Sequence, residues 1–215
     1  MDLLDMSRLM RLIERLGNVV ISSGLLLMTN LPLAFSLAFI PIQRNNVLIL
    51  IGLSVTLGPS LTALNYAYFH GDTLVRHFFK GYRDNWRQAW AVFSGLTGLL
   101  LLFTYDSLFV LANPQFQFFL IPLVFVLAFL VLLGFYTALL LARYTGSIRN
   151  QVRNAAILTG RHGFRNIGLL VFASSVFLVT KATNMPLLQL LLAGVIAIGS
   201  FYWLRGTLER VISKP

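Results

Sequence analysis

Six stretches of this chain contain no Lys, Arg, Asp or Glu and are dominated by aliphatic and aromatic residues. They run from Leu16 to Gln43, Asn45 to Gly71, Gln88 to Tyr105, Ser107 to Ala142, Asn166 to Thr180 and Ala182 to Leu204. A helix that crosses a hydrocarbon core of about 30 Å needs about 20 apolar residues, so runs of this kind read as membrane spans. The fourth is too long for one crossing, and Asn113-Pro114 is a turn signal near its start. The pattern predicts an all-α, polytopic membrane protein forming a single domain over residues 1–215, with six transmembrane helices at about 17–41, 46–69, 88–105, 116–142, 166–181 and 186–204. The third and fifth spans are short, which predicts tilt or local thinning of the bilayer.

Charge adds a direction to this threading. The 17 Lys and Arg residues divide as three before the first span, then one, four, none, five and one in the successive loops, and three after the last span. High and low counts alternate, and basic residues favour the cytoplasmic side, so both termini are expected inside. The net charge of +10 would suggest nucleic acid in a soluble chain. Here 57% of residues are hydrophobic, only 11% are charged and the mean hydropathy is +0.79, against roughly 25% charged in soluble domains. The cations are therefore expected to meet anionic lipids of the bilayer, and no nucleic-acid partner is expected.

Two basic loops carry further patterning. After Gly71-Asp72-Thr73, a plausible N-cap, Leu74, Val75, Phe78, Phe79, Tyr82, Trp86 and Trp90 recur at helical spacing, with Arg76, His77, Lys80, Arg83 and Arg87 between them. This predicts a cytoplasmic interfacial amphipathic helix, either resting on lipid and orienting the third span or docking a partner protein through Phe78, Phe79, Tyr82, Trp86, Arg83 and Arg87. The N-terminal segment, with Met6, Leu9, Met10, Ile13 and Leu16 at a helical period and Arg8, Arg11, Glu14 and Arg15 on other faces, predicts a shorter surface anchor. In the fourth loop, Arg149 and Arg153 share a face at i, i+4 spacing, and with Arg161 and Arg165 they are candidate contacts for anionic lipid. Lys181 is placed to snorkel from the end of the fifth span.

Within the spans every ionisable Asp, Glu, Lys or Arg lies at or beyond a helix end, which disfavours proton-coupled transport. No convergent carboxylate pair suits acid-base catalysis. The chain has no Cys, and His70 and His77 lack the third protein ligand that a catalytic zinc site needs. No enzymatic activity, metal or cofactor is expected. Polar and small residues in the first two spans predict close helix packing. Pro32 and the Gly58-Pro59 pair predict bends there, and two bent helices carrying Asn30, Pro32, Gly58, Pro59, Thr62 and Asn65 are candidates to line a polar cavity.

Gly17-Asn18, Gly58-Pro59 with Thr62-Ala63-Leu64, Phe78-Phe79-Lys80-Gly81-Tyr82 and Asn85-Trp86-Arg87-Gln88 together resemble the YesL family of small bacterial membrane proteins. The motifs cover about the first hundred residues, and the second half agrees in layout. The family's activity is uncharacterised, and its members are often encoded beside permease subunits of carbohydrate ABC importers. The resemblance implies a multi-pass protein of the bacterial plasma membrane serving as an accessory subunit of such an importer. A stand-alone small transporter or channel is the alternative.

Overall fold

A computed structural model describes residues 3–40, 46–71, 73–183 and 186–212. The expectations for Pro41 to Asn45, for Asp72 and for the side chains of Met6, Arg8, Arg11 and Lys181 lie outside the described residues. Among the described residues the protein is helical, with no strand. In chain order the helices are α1 (Leu3–Thr29), α2 (Leu31–Phe39), α3 (Val47–Leu53), α4 (Leu57–His70), α5 (Leu74–Ala112), α6 (Leu120–Arg143), α7 (Ile148–Arg161), α8 (Gly163–Thr183) and α9 (Pro186–Ile212). Short 3₁₀ turns, Ser54–Thr56 and Pro114–Phe119, join α3 to α4 and lead into α6.

Three stretches among the described residues are long and apolar enough to cross a membrane: Val47–His70, Leu74–Ala112 and Pro114–Arg143. Their outer surface suits lipid, since Phe125 and Ile121 of α6 are 72% and 67% exposed. Many large apolar side chains turn outward in the same way on the other helices, far beyond what a water-soluble monomer tolerates. Polar and small residues turn inward instead. Ser22, Ser60, Thr62 and Thr137 are fully enclosed, each hydrogen-bonded to a partner within the bundle or to its own helix. These enclosed polar groups sit among apolar core residues, and an apolar exterior over hydrogen-bonded polar contacts is the distribution that suits helices packed in a hydrocarbon solvent.

The first two runs are interrupted, though not where proline alone would place the bends. In the first, the helix breaks at Asn30, whose backbone is non-helical (φ −124°, ψ 34°), two residues before Pro32. Pro32 sits in the first turn of α2, where its missing N–H costs nothing. In the second, the irregular turn is Ser54–Thr56, and Gly58 and Pro59 lie in the opening turn of α4. Pro59 cannot donate to the Val55 carbonyl four residues back, and the Leu57 N–H closes the preceding turn against the Ser54 carbonyl.

The largest departure from the sequence expectation concerns the second basic loop. No separate interfacial helix forms. Leu74–Ala112 is one continuous helix of 39 residues, because no proline occurs in it and its three glycines are tolerated singly. Its first half runs antiparallel along α4. A Cβ on Gly81 would lie 2.7 Å from that of Tyr66, and a Cβ on Gly58 would overlap the ring of Phe93. The aromatic period at Phe78 and Tyr82 is a packing face: Phe78 is fully buried among Leu64, Ala63 and Ala67 of α4 and Leu25 and Leu26 of α1, with Tyr82 against the same cluster.

A larger core joins α5, α6, α7, α8 and α9 around Tyr136, Leu139, Leu169 and Phe201. Close approaches at glycine recur there: Gly168 admits Trp203 and Gly199 admits Phe172, while Gly194 of α9 meets the backbone of α1 at Val19 and Ser23.

These contacts predict a sharp difference between glycines. Gly58→Ala should destabilise the protein by about 1–3 kcal/mol, the usual cost of overpacking, because the atoms it meets belong to the base of the Phe93 side chain. Gly95→Ala meets nothing within 4 Å and should be neutral or gain up to about 1 kcal/mol of helix stability. Thermal unfolding of the detergent-solubilised variants checks this, and equal midpoints would contradict the packing described.

Candidate functional site

Two groups of residues were candidates from the sequence: a polar set within the first two runs, and a basic and aromatic set at one end of the bundle.

The polar set forms a clasp between α1 and α4. Asn30 Nδ2 donates to Ser60 Oγ at 2.9 Å and to the Leu26 carbonyl at 2.8 Å. Ser60 Oγ lies 2.9 Å from both Thr29 Oγ1 and the Thr56 carbonyl, and Thr29 Oγ1 donates to the Leu25 carbonyl at 2.8 Å. The Leu25 and Leu26 carbonyls left over where α1 ends are thus met by side chains, as buried backbone groups require. Asn30 is 3% exposed and its Oδ1 is buried without a partner. Thr62 donates to the Gly58 carbonyl at 2.9 Å, and Pro59 and Asn65 are buried, whereas Pro32 faces outward. The six residues expected to line a cavity therefore do not converge on one. Five are packed into helix contacts and Pro32 is on the exterior.

The basic set lies where α4 ends, α5 begins, α7 lies across, and α1 and α9 meet. On α5, Val75, Phe79, Arg83, Trp86 and Trp90 are all exposed and spaced to share one side of the helix. Phe79 and Trp86 are 46% and 44% exposed. Arg87 is exposed with its guanidinium 5.7 Å from the Trp86 ring centre. Phe78 does not belong to this face, and Tyr82 is half-buried beneath it. Among the described residues Arg83 has the exposed Asp84, at 3.6 Å, as its ionic neighbour, a contact of small energetic value.

The fourth loop is more ordered than its composition suggested. Ile148–Arg161 is a full amphipathic helix, α7. Its inner face, Gln151, Ala155, Leu158 and Thr159, is buried, and Arg149, Arg153 and Arg161 are exposed. Arg165 is different: its guanidinium packs over Gly206 of α9, and its carbonyl accepts the Trp203 indole N–H at 2.9 Å. Beneath α7 the Tyr136 hydroxyl donates to Asn166 Oδ1 at 2.9 Å, and Asn166 Nδ2 donates to the Thr159 carbonyl at 2.6 Å. This buried relay pins the turn between α7 and α8 to the core. Gln151 Nε2 donates to the Tyr144 carbonyl at 2.7 Å and walls an open cleft of about 370 Å³ with Asn154, Ile157 and Leu208. None of these pairings was visible in the sequence, where Tyr136 and Asn166 lie in separate runs.

His70 and His77 stand with ring centres 5.7 Å apart across the α4–α5 turn, and His70 Nδ1–H donates to the Tyr66 carbonyl at 2.9 Å. Arg205, just beyond the sixth apolar run, donates to Glu209 at 2.7 Å and holds that exposed carboxyl below the usual carboxylate range.

No family model, curated protein or solved structure matches this chain. The motif residues quoted above are therefore the whole ground for the family resemblance.

The clasp yields a quantitative expectation. In a double-mutant cycle of Asn30→Ala and Ser60→Ala, the coupling energy should fall near the 0.6 to about 1.7 kcal/mol seen for hydrogen bonds between membrane helices. A coupling indistinguishable from zero in detergent unfolding would mean that the two side chains do not meet.

Proposed function

We propose that the protein is a six-span subunit of the bacterial plasma membrane, with both termini in the cytoplasm, that acts without catalysis as an accessory component of a transport complex, a carbohydrate ABC importer of the kind the YesL resemblance implies. Fifteen of the seventeen cations fall on the cytoplasmic side in that threading. The observation that carries the reading is the exposed aromatic and basic side of α5, because aromatic residues and Arg are what protein interfaces use as anchors. Phe79, Trp86 and Trp90 combine this exposure with the neighbouring Arg83 and Arg87, a mixture that lipid-facing side chains of α6 lack. Permease subunits would meet this face, and anionic lipids would meet Arg149, Arg153 and Arg161 on the neighbouring helix.

The clasp supports this reading over a stand-alone transporter or channel. A solute path needs polar groups that line open space, whereas Asn30, Ser60, Thr62 and Asn65 are consumed in helix packing. Purified protein in vesicles is accordingly expected to show no solute flux; a flux that falls on replacing Asn30 or Asn65 would favour the transporter.

Two further measurements test the proposal. Phe79→Ala with Trp86→Ala should abolish or strongly reduce co-isolation of permease or ATPase subunits from gently solubilised native membranes, leaving membrane insertion unchanged. Phe78→Ala belongs to a different class: emptying its buried site should cost about 3–5 kcal/mol of stability and lower the amount of folded protein. Recovery of the chain alone from native membranes would count against the accessory role. Because the chain has no Cys, single cysteines at Arg76 and Arg161 report topology directly, and both should react only from the cytoplasmic side.

A further inference from the structure

At the basic end a cleft of about 420 Å³ opens between α1, α4 and α9, lined by Arg15, Asn18, Val19, Tyr68, Ile198 and Tyr202. Helices α1 and α9 run antiparallel here, since Gly194 meets Val19 and Ser23 while Ile198 and Tyr202 share the cleft with Arg15 and Asn18. Arg15 and Tyr202 therefore stand at one level, and Val19 and Ile198 stand about one helical turn deeper, toward the middle of the apolar runs. The cleft is polar and cationic at its outer rim and aliphatic below.

Its polar groups are prepared for an anion. Arg15 is exposed, and no carboxylate among the described residues pairs with it. The nearest cation along α9, Arg205, is already engaged by Glu209. Tyr68 and the fully buried Ser22 are hydrogen-bonded at 2.6 Å, and either can donate. When Ser22 donates to the Tyr68 oxygen, the Tyr68 proton is free to turn into the cleft. The Tyr202 ring is 60% exposed beside Tyr68, with ring centres 6.3 Å apart. A guanidinium with two phenol hydroxyls and an Asn amide offers charge-assisted hydrogen bonds of the kind phosphate takes.

We infer that this cleft is a stoichiometric binding site for the phosphodiester head group of an anionic phospholipid, with its acyl chains descending along Val19 and Ile198. The gradient selects the source of the phosphate. A free phosphate would leave the aliphatic half of the cleft unfilled, whereas a lipid brings its own apolar part at the matching depth. The lining also favours a head group of net negative charge: among the described residues it carries one cation and no carboxylate. The site is separate from the exposed cations of α7, whose attraction for lipid is diffuse. It rests on embedding in the membrane and is independent of any role beside an importer.

The full chain, delipidated in detergent, can be titrated with phosphatidylglycerol or with phosphatidylcholine of the same chains and read by native mass spectrometry. One phosphatidylglycerol should be retained at about tenfold lower concentration than phosphatidylcholine, equivalent to one charge-assisted contact of about 1.4 kcal/mol. Arg15→Gln should bring the two lipids to parity and Tyr202→Phe should weaken the preference, while Arg149→Gln with Arg153→Gln should leave it intact. Arg15 and Tyr202 are both exposed, so neither change threatens folding, and unfolding midpoints confirm this. Retention of the preference by Arg15→Gln, or its loss only in the α7 variant, would overturn the inference. Displacement of the lipid by millimolar inorganic phosphate would overturn it too, in favour of a free-anion site. A chain that stays in solution without detergent and binds neither lipid would instead refute the membrane reading itself.

Discussion

A buried peptide group has no water to turn to, and this constraint shapes the two interruptions of the helical ladder near Asn30 and Ser54–Thr56. Wherever the helical ladder is interrupted, something within reach must take up the freed carbonyls and amides. At the end of α1 the side chains of Thr29 and Asn30 do so, and Ser60 of α4 completes the arrangement. At the second interruption the backbone contracts into a 3₁₀ turn, closed by the Leu57 N–H against the Ser54 carbonyl and lying beside the Val55 carbonyl that Pro59 cannot reach. The two irregularities therefore have local physical causes, and the clasp that repairs the first also ties it to α4. What looks from composition like a polar interior is largely side chains serving backbone groups freed where two helices are interrupted.

Much of the architecture was readable from the apolar runs, because a run of sufficient length in lipid has few options besides a helix. The stretches expected as fifth and sixth spans, 166–181 and 186–204, fall within Gly163–Thr183 and Pro186–Ile212, and Asn113-Pro114 does separate α5 from the turn that leads into α6. The second basic loop misled for an identifiable reason. A period of apolar residues reports that one helix face is covered, but not by what. Phe78 and Tyr82 have the spacing expected of a helix lying on lipid, yet α4 covers them through Ala63 and Ala67. The small residues that permit this contact, Gly81 opposite Tyr66 and Gly58 opposite Phe93, are meaningful only once the register of the two helices is known.

The candidate site was legible by residue type but not by assignment. Phe79, Trp86, Arg83 and Arg87 do stand on the surface, while Phe78, from the same motif, is an internal anchor. Arg149, Arg153 and Arg161 are free on the outer face of α7, but Arg165 is drawn against α9 by the close approach at Gly206. The Tyr136 to Asn166 to Thr159 relay, which ties three helices, and the Ser22 to Tyr68 pair join residues up to 30 and 46 apart in sequence. Neither could be found from periodicity, since each member sits alone within its own stretch.

The unbroken course of α5 carries a mechanical consequence. At 1.5 Å per residue, its 39 residues make a stiff rod about 58 Å long, nearly twice the thickness of a hydrocarbon core. A separate surface helix joined by a flexible corner would isolate its load from the bilayer. A rod with no hinge cannot do so: any tilt imposed on its far end by bilayer thickness or curvature swings the aromatic side near Leu74 through a proportionate arc. In a bilayer, a partner seated on that side would feel the tilt of the whole rod together with the α4 and α1 surfaces packed on it.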